Sequence, residues 1–406
     1  MSLKAVVLVG GAQKGTRFRP LSLKVPKPLF PIAGRPLVEH HIDALCQLRT
    51  LSSIILLGFY PAEQFTEFLN DVNARYPVPI TYLQETESLG TAGGLLKFES
   101  IILAGNPSAV FVLNADICGD LPVADMVEAL ANHSTAQCLI LTTEATRDQS
   151  RNFGNVVVDE KGSGRVLHYV DKPTTFVSTS ISCGIYLLKP SIWKFLRDQV
   201  FNGTIPALWF ELDIFPSLAT TDGLYALHTT RWWSQTKTAG AALYANRHYL
   251  RLYREHHPER LTFSGATIEG DVYVDPTAEV HPSAKIGPNV SIGARAKIGA
   301  GVRVRESIIL PDCVLEEHSC VLHSVIGWRS VVGTWARVEG TPISPNPNMP
   351  FAKLDNKPLF NIDGRLNPSL TILGSDVHVS NEQIILNSVV LPYKDLSASY
   401  QNQIIL

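Results

Sequence analysis

The sequence predicts an α/β domain built on a mostly parallel sheet, followed by a hexapeptide β-helix. Three observations carry that prediction. Up to about residue 250, short apolar runs alternate with helical stretches. From about residue 265, apolar residues recur every six positions. Between the two lies a long amphipathic segment at 236–256, with Pro258 just beyond it as a helix stop.

In the first half, residues 5–9, 53–59, 80–84 and 109–113 read as buried strands. Residues 37–48, 62–74 and 125–133 read as the helices between them. Strands alternating with helices argue for a parallel sheet covered on both faces. Segment 236–256 is taken as a bridging helix, so the domains run 1–250 and 265–406.

The second half has its own period. Val274, Val280, Ile286, Ile292, Ile298 and Val304 lie six apart, then Val314, Cys320, Ile326, Val332 and Val338, and finally Val379, Ile385 and Leu391. A six-residue apolar repeat fits neither a helix nor a lone strand. It marks a β-helix in which one apolar residue per short side points inward. Such a scaffold often provides an assembly surface, so self-association through it is expected. An arm at 340–371, with six prolines and no hexad, interrupts the repeat. At that length it reads as a functional element that reaches a partner, or as disorder.

Composition narrows the function. The chain has 406 residues, 45% hydrophobic and 18% charged, with a formal net charge of −2. That balance fits a globular protein with a sizeable core and speaks against a basic nucleic-acid footprint. The first apolar run, at 5–9, is too short for a signal core or a membrane span. The six cysteines contain no C-x-x-C pair. A reducing cytoplasm is therefore expected, with neither a zinc site nor a disulfide framework.

The stretch VGGAQKGTRFRP at 9–20 resembles a phosphate loop without being one. Gly10 and Gly15 have the P-loop spacing, but Thr16 stands where lysine is required. Pro20, Pro26, Pro28 and Pro31 prevent a following helix. What remains is a glycine loop after the first strand, with Arg17, Arg19 and Lys27 within reach. Backbone amides and guanidinium forks of this kind can wrap phosphate oxygens.

That loop, with PKPLFPIAGRP at 26–36, LGTAGGL at 89–95, VLNAD at 112–116 and VDKP at 170–173, resembles the sugar-phosphate nucleotidyltransferases. Within them it is most similar to the mannose-1-phosphate guanylyltransferase group, which makes GDP-mannose from mannose 1-phosphate and GTP. The resemblance covers essentially the whole chain. It implies a Rossmann-like nucleotidyltransferase domain followed by a left-handed hexapeptide β-helix.

It also implies roles. Gly10, Gly11, Gly15, Thr16 and Arg17 would line the nucleotide phosphates, and Lys27 would reach them. Gln84, Glu85, Gly90, Thr91 and Ala92 would border the base and ribose. Asn114 and Asp116 would close the fourth strand, with Asp116 as the first Mg²⁺ carboxylate. Asp171 and Lys172 would face the sugar, and Ser182, Cys183 and Gly184 stand where the family has Asn-Ala-Gly.

Two departures matter. The loop GGAQKGTR is two residues longer than the family's GGxGTR, through Gln13 and Lys14. A displacement of about 1 Å can cost a hundredfold in a transfer reaction. The family's second metal carboxylate follows a tryptophan as W-x-D-I-G, and here the stretch is RWWSQTKTAG, with Ser234 at that position. A hydroxyl brings no charge to Mg²⁺.

Both departures and the arm resemble the family's regulatory branch, which binds GDP-mannose without making it and inhibits a catalytic beta subunit. On that resemblance Glu85 and Gln235 would touch GDP-mannose, the arm would reach the catalytic partner, and Mg²⁺ would matter only to residual catalysis. An active guanylyltransferase is the main alternative. A structural subunit with an unused pocket is another, and an acyltransferase using His281, His318 or His323 of the solenoid is a third.

Overall fold

The computed structural model describes residues 2–13, 15–159, 162–198, 207–261, 265–342, 360, 362, 366–367 and 369–406. Most of the expected arm at 340–371, and Lys14, lie outside the described residues. By internal contact the chain divides into two units. Among the described residues, one takes those of 1–14 and 38–235, and the other takes Gly15–Leu37 and those from Thr236 onward.

The first unit is organised by strands Leu3–Gly10, Leu51–Gly58, Ile80–Gln84 and Ala109–Asn114. They lie in the order Ala109–Asn114, Leu3–Gly10, Leu51–Gly58, Ile80–Gln84, all parallel. Their apolar runs are nearly continuous because helices cover both faces. Val6, Ile55, Val110 and Val112 are fully or almost fully buried. Beyond Ala109–Asn114 the sheet turns antiparallel through Ser180–Leu188, so it is mixed, with its parallel half at the N-terminal strands. Aromatic side chains fill the far side of the core. Phe210 stacks on Phe215 with ring centroids 5.3 Å apart, and Tyr186 meets Phe215 edge-on at 4.8 Å.

In the second unit, helix Ala239–His256 is capped by Thr238, whose hydroxyl accepts from the Ala241 amide. Its buried Asn246 accepts from the Ala33 amide at 2.8 Å, which ties the short hairpin of Pro31–Ile32 and Arg35–Pro36 to this helix. The rest is three parallel sheets, consistent with a left-handed β-helix.

The coil register corrects the six-residue reading in one respect. Ile286 pairs with Val304 and Val280 with Ile298, steps of eighteen. Val304 then pairs with Val321, Ile298 with Leu315 and Leu373 with Val390, steps of seventeen. The last step, from Ile385 to Tyr400, is fifteen. The middle coils drop one residue at the corner after Val304 and at its equivalents, so Leu315, Val321 and Val390 point inward. The expected Val314, Cys320 and Leu391 do not. The shortened corner places non-glycine residues in the left-handed region, Glu306 (φ 48), His323 (φ 47) and Asn387 (φ 47). Bidentate pairs Arg295–Asp312 and Arg329–Asp376 hold the next corner, where the inward residues stay six apart. Ile309 pairs with Ile326, but Ile326 next pairs with Leu373. The solenoid therefore resumes in register after thirty extra residues, and the interruption sits between coils without breaking the stack.

Candidate nucleotide-sugar site

In the first unit, Gly10, Gln84 and Asn114 of the expected site residues lie at the carboxyl ends of the parallel strands, where open α/β sheets bind ligands. Gly10 ends the first strand, Gly58 the second, Gln84 the third and Asn114 the fourth. The Phe59 amide donates to Gly10 O, and the Glu85 amide to Gly58 O, both at 2.7 Å. Gln84 is exposed and its Oε1 accepts from the Ala62 amide, whereas Glu85 is buried. A Cβ at Gly94 would lie 2.4 Å from Glu85 Oε1, so that glycine makes room for the carboxylate.

The turn at 89–93 is clamped by a distant segment. The Leu208 amide donates to Leu89 O at 2.8 Å, and the Ala92 amide donates to Leu208 O at 2.9 Å. Thr91 Oγ1 donates to Glu211 Oε2 at 2.8 Å and accepts from the Phe210 amide at 2.9 Å. Tyr186 also donates to Glu211. Burial first, and the Glu211 carboxylate second, push the Tyr169 and Tyr186 phenols well above their usual range, so both remain neutral donors. Glu211 begins the second position of a single π-helical turn, Phe210–Ile214, a geometry that often marks functional sites. It was not legible in the sequence, because nothing in the spacing links it to Thr91.

Asn114 faces Gly184, where a Cβ would lie 2.7 Å from Asn114 Nδ2 and φ is +73. Ser182, Cys183 and Gly184 fall in a bulge of their strand, and Ser182 Oγ accepts from the Gly184 amide. Asp171 pairs with the adjacent Lys172, whose side chain is exposed. Asp116 meets a short antiparallel ribbon, Ile117–Gly119 with Trp233–Gln235. That ribbon sets Ser234 opposite Cys118, and Gln235 Nε2 donates to Asp116 Oδ1 at 3.2 Å. Trp233 is core, with its indole N–H on Cys183 O at 2.9 Å.

Gly15, Thr16, Arg17 and Lys27 belong to the second unit. Gly15 (φ +80) precedes a single turn at Thr16–Phe18, with Arg17 exposed. Lys27 is buried, its ammonium 5.6 Å from the centre of the Phe18 ring. The prolines confine this segment to short turns, as the sequence implies.

His41 also bears on the site. It is fully buried, with Nε2 2.9 Å from Ile117 O and Nδ1 unpartnered. Burial pushes its pKa down to about 4 from the usual 6.5. The folded state thus refuses a proton that the unfolded chain accepts. Stability is fully present above the unfolded value and is lost as pH falls toward the folded one. Between about pH 7 and about pH 5 this single group should cost about 2 kcal/mol. His248, pushed down to about 3, adds a loss of the same sign. Chemical denaturation at both pH values, with His41→Gln beside the wild type, isolates the His41 share. Equal pH losses in the two proteins would refute it.

A family model described as "Nucleotidyl transferase" matches residues 4–251. The chain belongs to the nucleotidyl transferase family. A second family model, "GMPPB C-terminal domain", matches residues 268–405. Among the relatives, mannose-1-phosphate guanylyltransferase regulatory subunit alpha-A of Danio rerio is 53% identical, with 100% of both chains covered. The protein named mannose-1-phosphate guanylyltransferase regulatory subunit alpha in Homo sapiens is also 53% identical over the same full coverage. A solved Bacillus anthracis chain, provisionally named a glucose-1-phosphate thymidylyltransferase, superposes with a TM-score of 0.53 at 20% identity. It covers 65% of this chain and 98% of its own, and the likeness speaks to the fold alone.

Proposed function

We propose that the protein binds GDP-mannose and regulates a catalytic mannose-1-phosphate guanylyltransferase partner, with little or no turnover of its own. The observation that carries this reading is Ser234 on the ribbon beside Asp116, where the family's second carboxylate would stand. The strand ends and the clamped turn at 89–93 support the reading, since open α/β sheets bind ligands at the carboxyl ends of their strands. The names of the full-length relatives support the regulatory role and a catalytic partner.

Feedback in such a complex is linkage. GDP-mannose must favour the inhibiting arrangement by binding it more tightly, and that arrangement must tighten GDP-mannose in return. Six free cysteines fit a cytoplasmic setting. Among the described residues no helix is long and apolar enough to cross a membrane.

Calorimetric titration with GDP-mannose, beside a turnover assay with GTP, mannose 1-phosphate and Mg²⁺, tests the reading. Binding without turnover is expected. Turnover near about 10 per second, unchanged by Ser234→Asp, would overturn it, and so would failure to bind any nucleotide sugar.

A further inference from the structure

We propose that the side-chain amide of Gln235 takes the place of a divalent cation on Asp116, so that the pocket holds a nucleoside diphosphate sugar without metal. The inference rests on the nucleotide-sugar reading above and says how that ligand is held.

The donor set does not suit Mg²⁺. That ion wants near-octahedral oxygen ligands with anionic charge among them. Here Asp116 is the carboxylate, Ser234 on the facing strand brings a neutral hydroxyl, and Gln235 turns a nitrogen toward Asp116 Oδ1. The opposite amide orientation would set a carbonyl oxygen against a carboxylate, so the hydrogen bond fixes the assignment. Among the described residues, no group of three or more His, Cys, Asp or Glu could hold a metal ion.

The ribbon that carries Gln235 is held in place from several sides. Gln235 pairs with Ile117, the residue after Asp116. The Ile117 carbonyl is engaged by buried His41 at 2.9 Å. Two positions before Gln235, Trp233 is fixed by its indole bond to Cys183 O and by an edge contact with Phe153 at 5.6 Å. The ribbon therefore presents the amide to Asp116 as part of its own register. A neutral donor satisfies the carboxylate lone pair that a cation would claim, and it needs no counter-ion.

The test has a metal arm and a ligand arm. Mn²⁺ alone is titrated into the wild type and into Gln235→Glu, with free Mn²⁺ read by electron paramagnetic resonance. The wild type should bind none at micromolar concentrations. Gln235→Glu, which sets a second carboxylate beside Asp116, should gain a site. In the ligand arm, GDP-mannose affinity is measured by calorimetry in EDTA and in excess Mg²⁺. The wild type should change less than about twofold, and Gln235→Glu should tighten about tenfold or more with metal.

Micromolar Mn²⁺ binding by the wild type, or a tenfold gain of wild-type affinity with Mg²⁺, would overturn the inference. Failure of a folded Gln235→Glu to bind Mn²⁺ would do the same. Absence of GDP-mannose binding in either buffer would instead sink the proposed function, while the Mn²⁺ arm still judges this one. Should Gln235→Glu not fold, both wild-type measurements still decide.

Discussion

Gly90→Ala is expected to destabilise the first unit by about 3–5 kcal/mol and to weaken nucleotide-sugar binding by more than about tenfold. Two costs add. Gly90 has φ +75, where an L-residue pays about 1–2 kcal/mol. The new Cβ would also lie 2.1 Å from Leu208 O. That neighbour is backbone and cannot rotate away, so the 89–93 turn and the segment from Leu208 must part. Parting them breaks the Leu208 bonds to Leu89 and Ala92 and moves Thr91 off Glu211. Gly105→Ala is the control. Its φ is +78 but, among the described residues beyond its chain neighbours, no atom lies within 4 Å of the added Cβ, so it should pay the backbone cost alone. Thermal unfolding and GDP-mannose titration of both variants separate conformational strain from the clash. Equal losses in the two would mean that the clamp does not matter.

Val321→Asp is expected to cost the β-helix about 4–5 kcal/mol, whereas Cys320→Asp should cost about 1 kcal/mol or less. Val321 is fully buried and sits between Val304 and Val338 in the inward stack. A carboxyl there has no partner and must either stay charged without water or take up a proton. Cys320, one residue earlier, is only half-buried. Because each coil rests on its neighbours, damage at Val321 should spread to the adjacent coils. Hydrogen exchange should then show protection lost at 304 and 338 as well as at 321. If Cys320→Asp proves the more damaging of the two, the coil register described above is wrong.

These variants separate what can be read along the chain from what cannot. The parallel strands were legible because burial on both faces leaves unbroken apolar runs, and 80–84 coincides with Ile80–Gln84. Helix ends were legible to within a few residues, since capping and proline stops act locally. The solenoid was legible as a solenoid, but its phase was not. A rule of six holds through the eighteen-residue coils and slips wherever a corner is shortened. Pairing between coils, not spacing along one, decides which residue points inward.

The sequence by itself determined the two architectures, the set of glycines at the strand ends and the serine at 234. Those follow from local periodicity and from motifs written in consecutive residues. Only the tertiary structure decided that Glu211 braces Thr91, that His41 engages the Ile117 carbonyl and that Gln235 donates to Asp116. Each joins positions far apart in the chain through a contact made by one side-chain atom. Contacts of that kind leave no period and no spacing, because what selects them is the distance between folded elements.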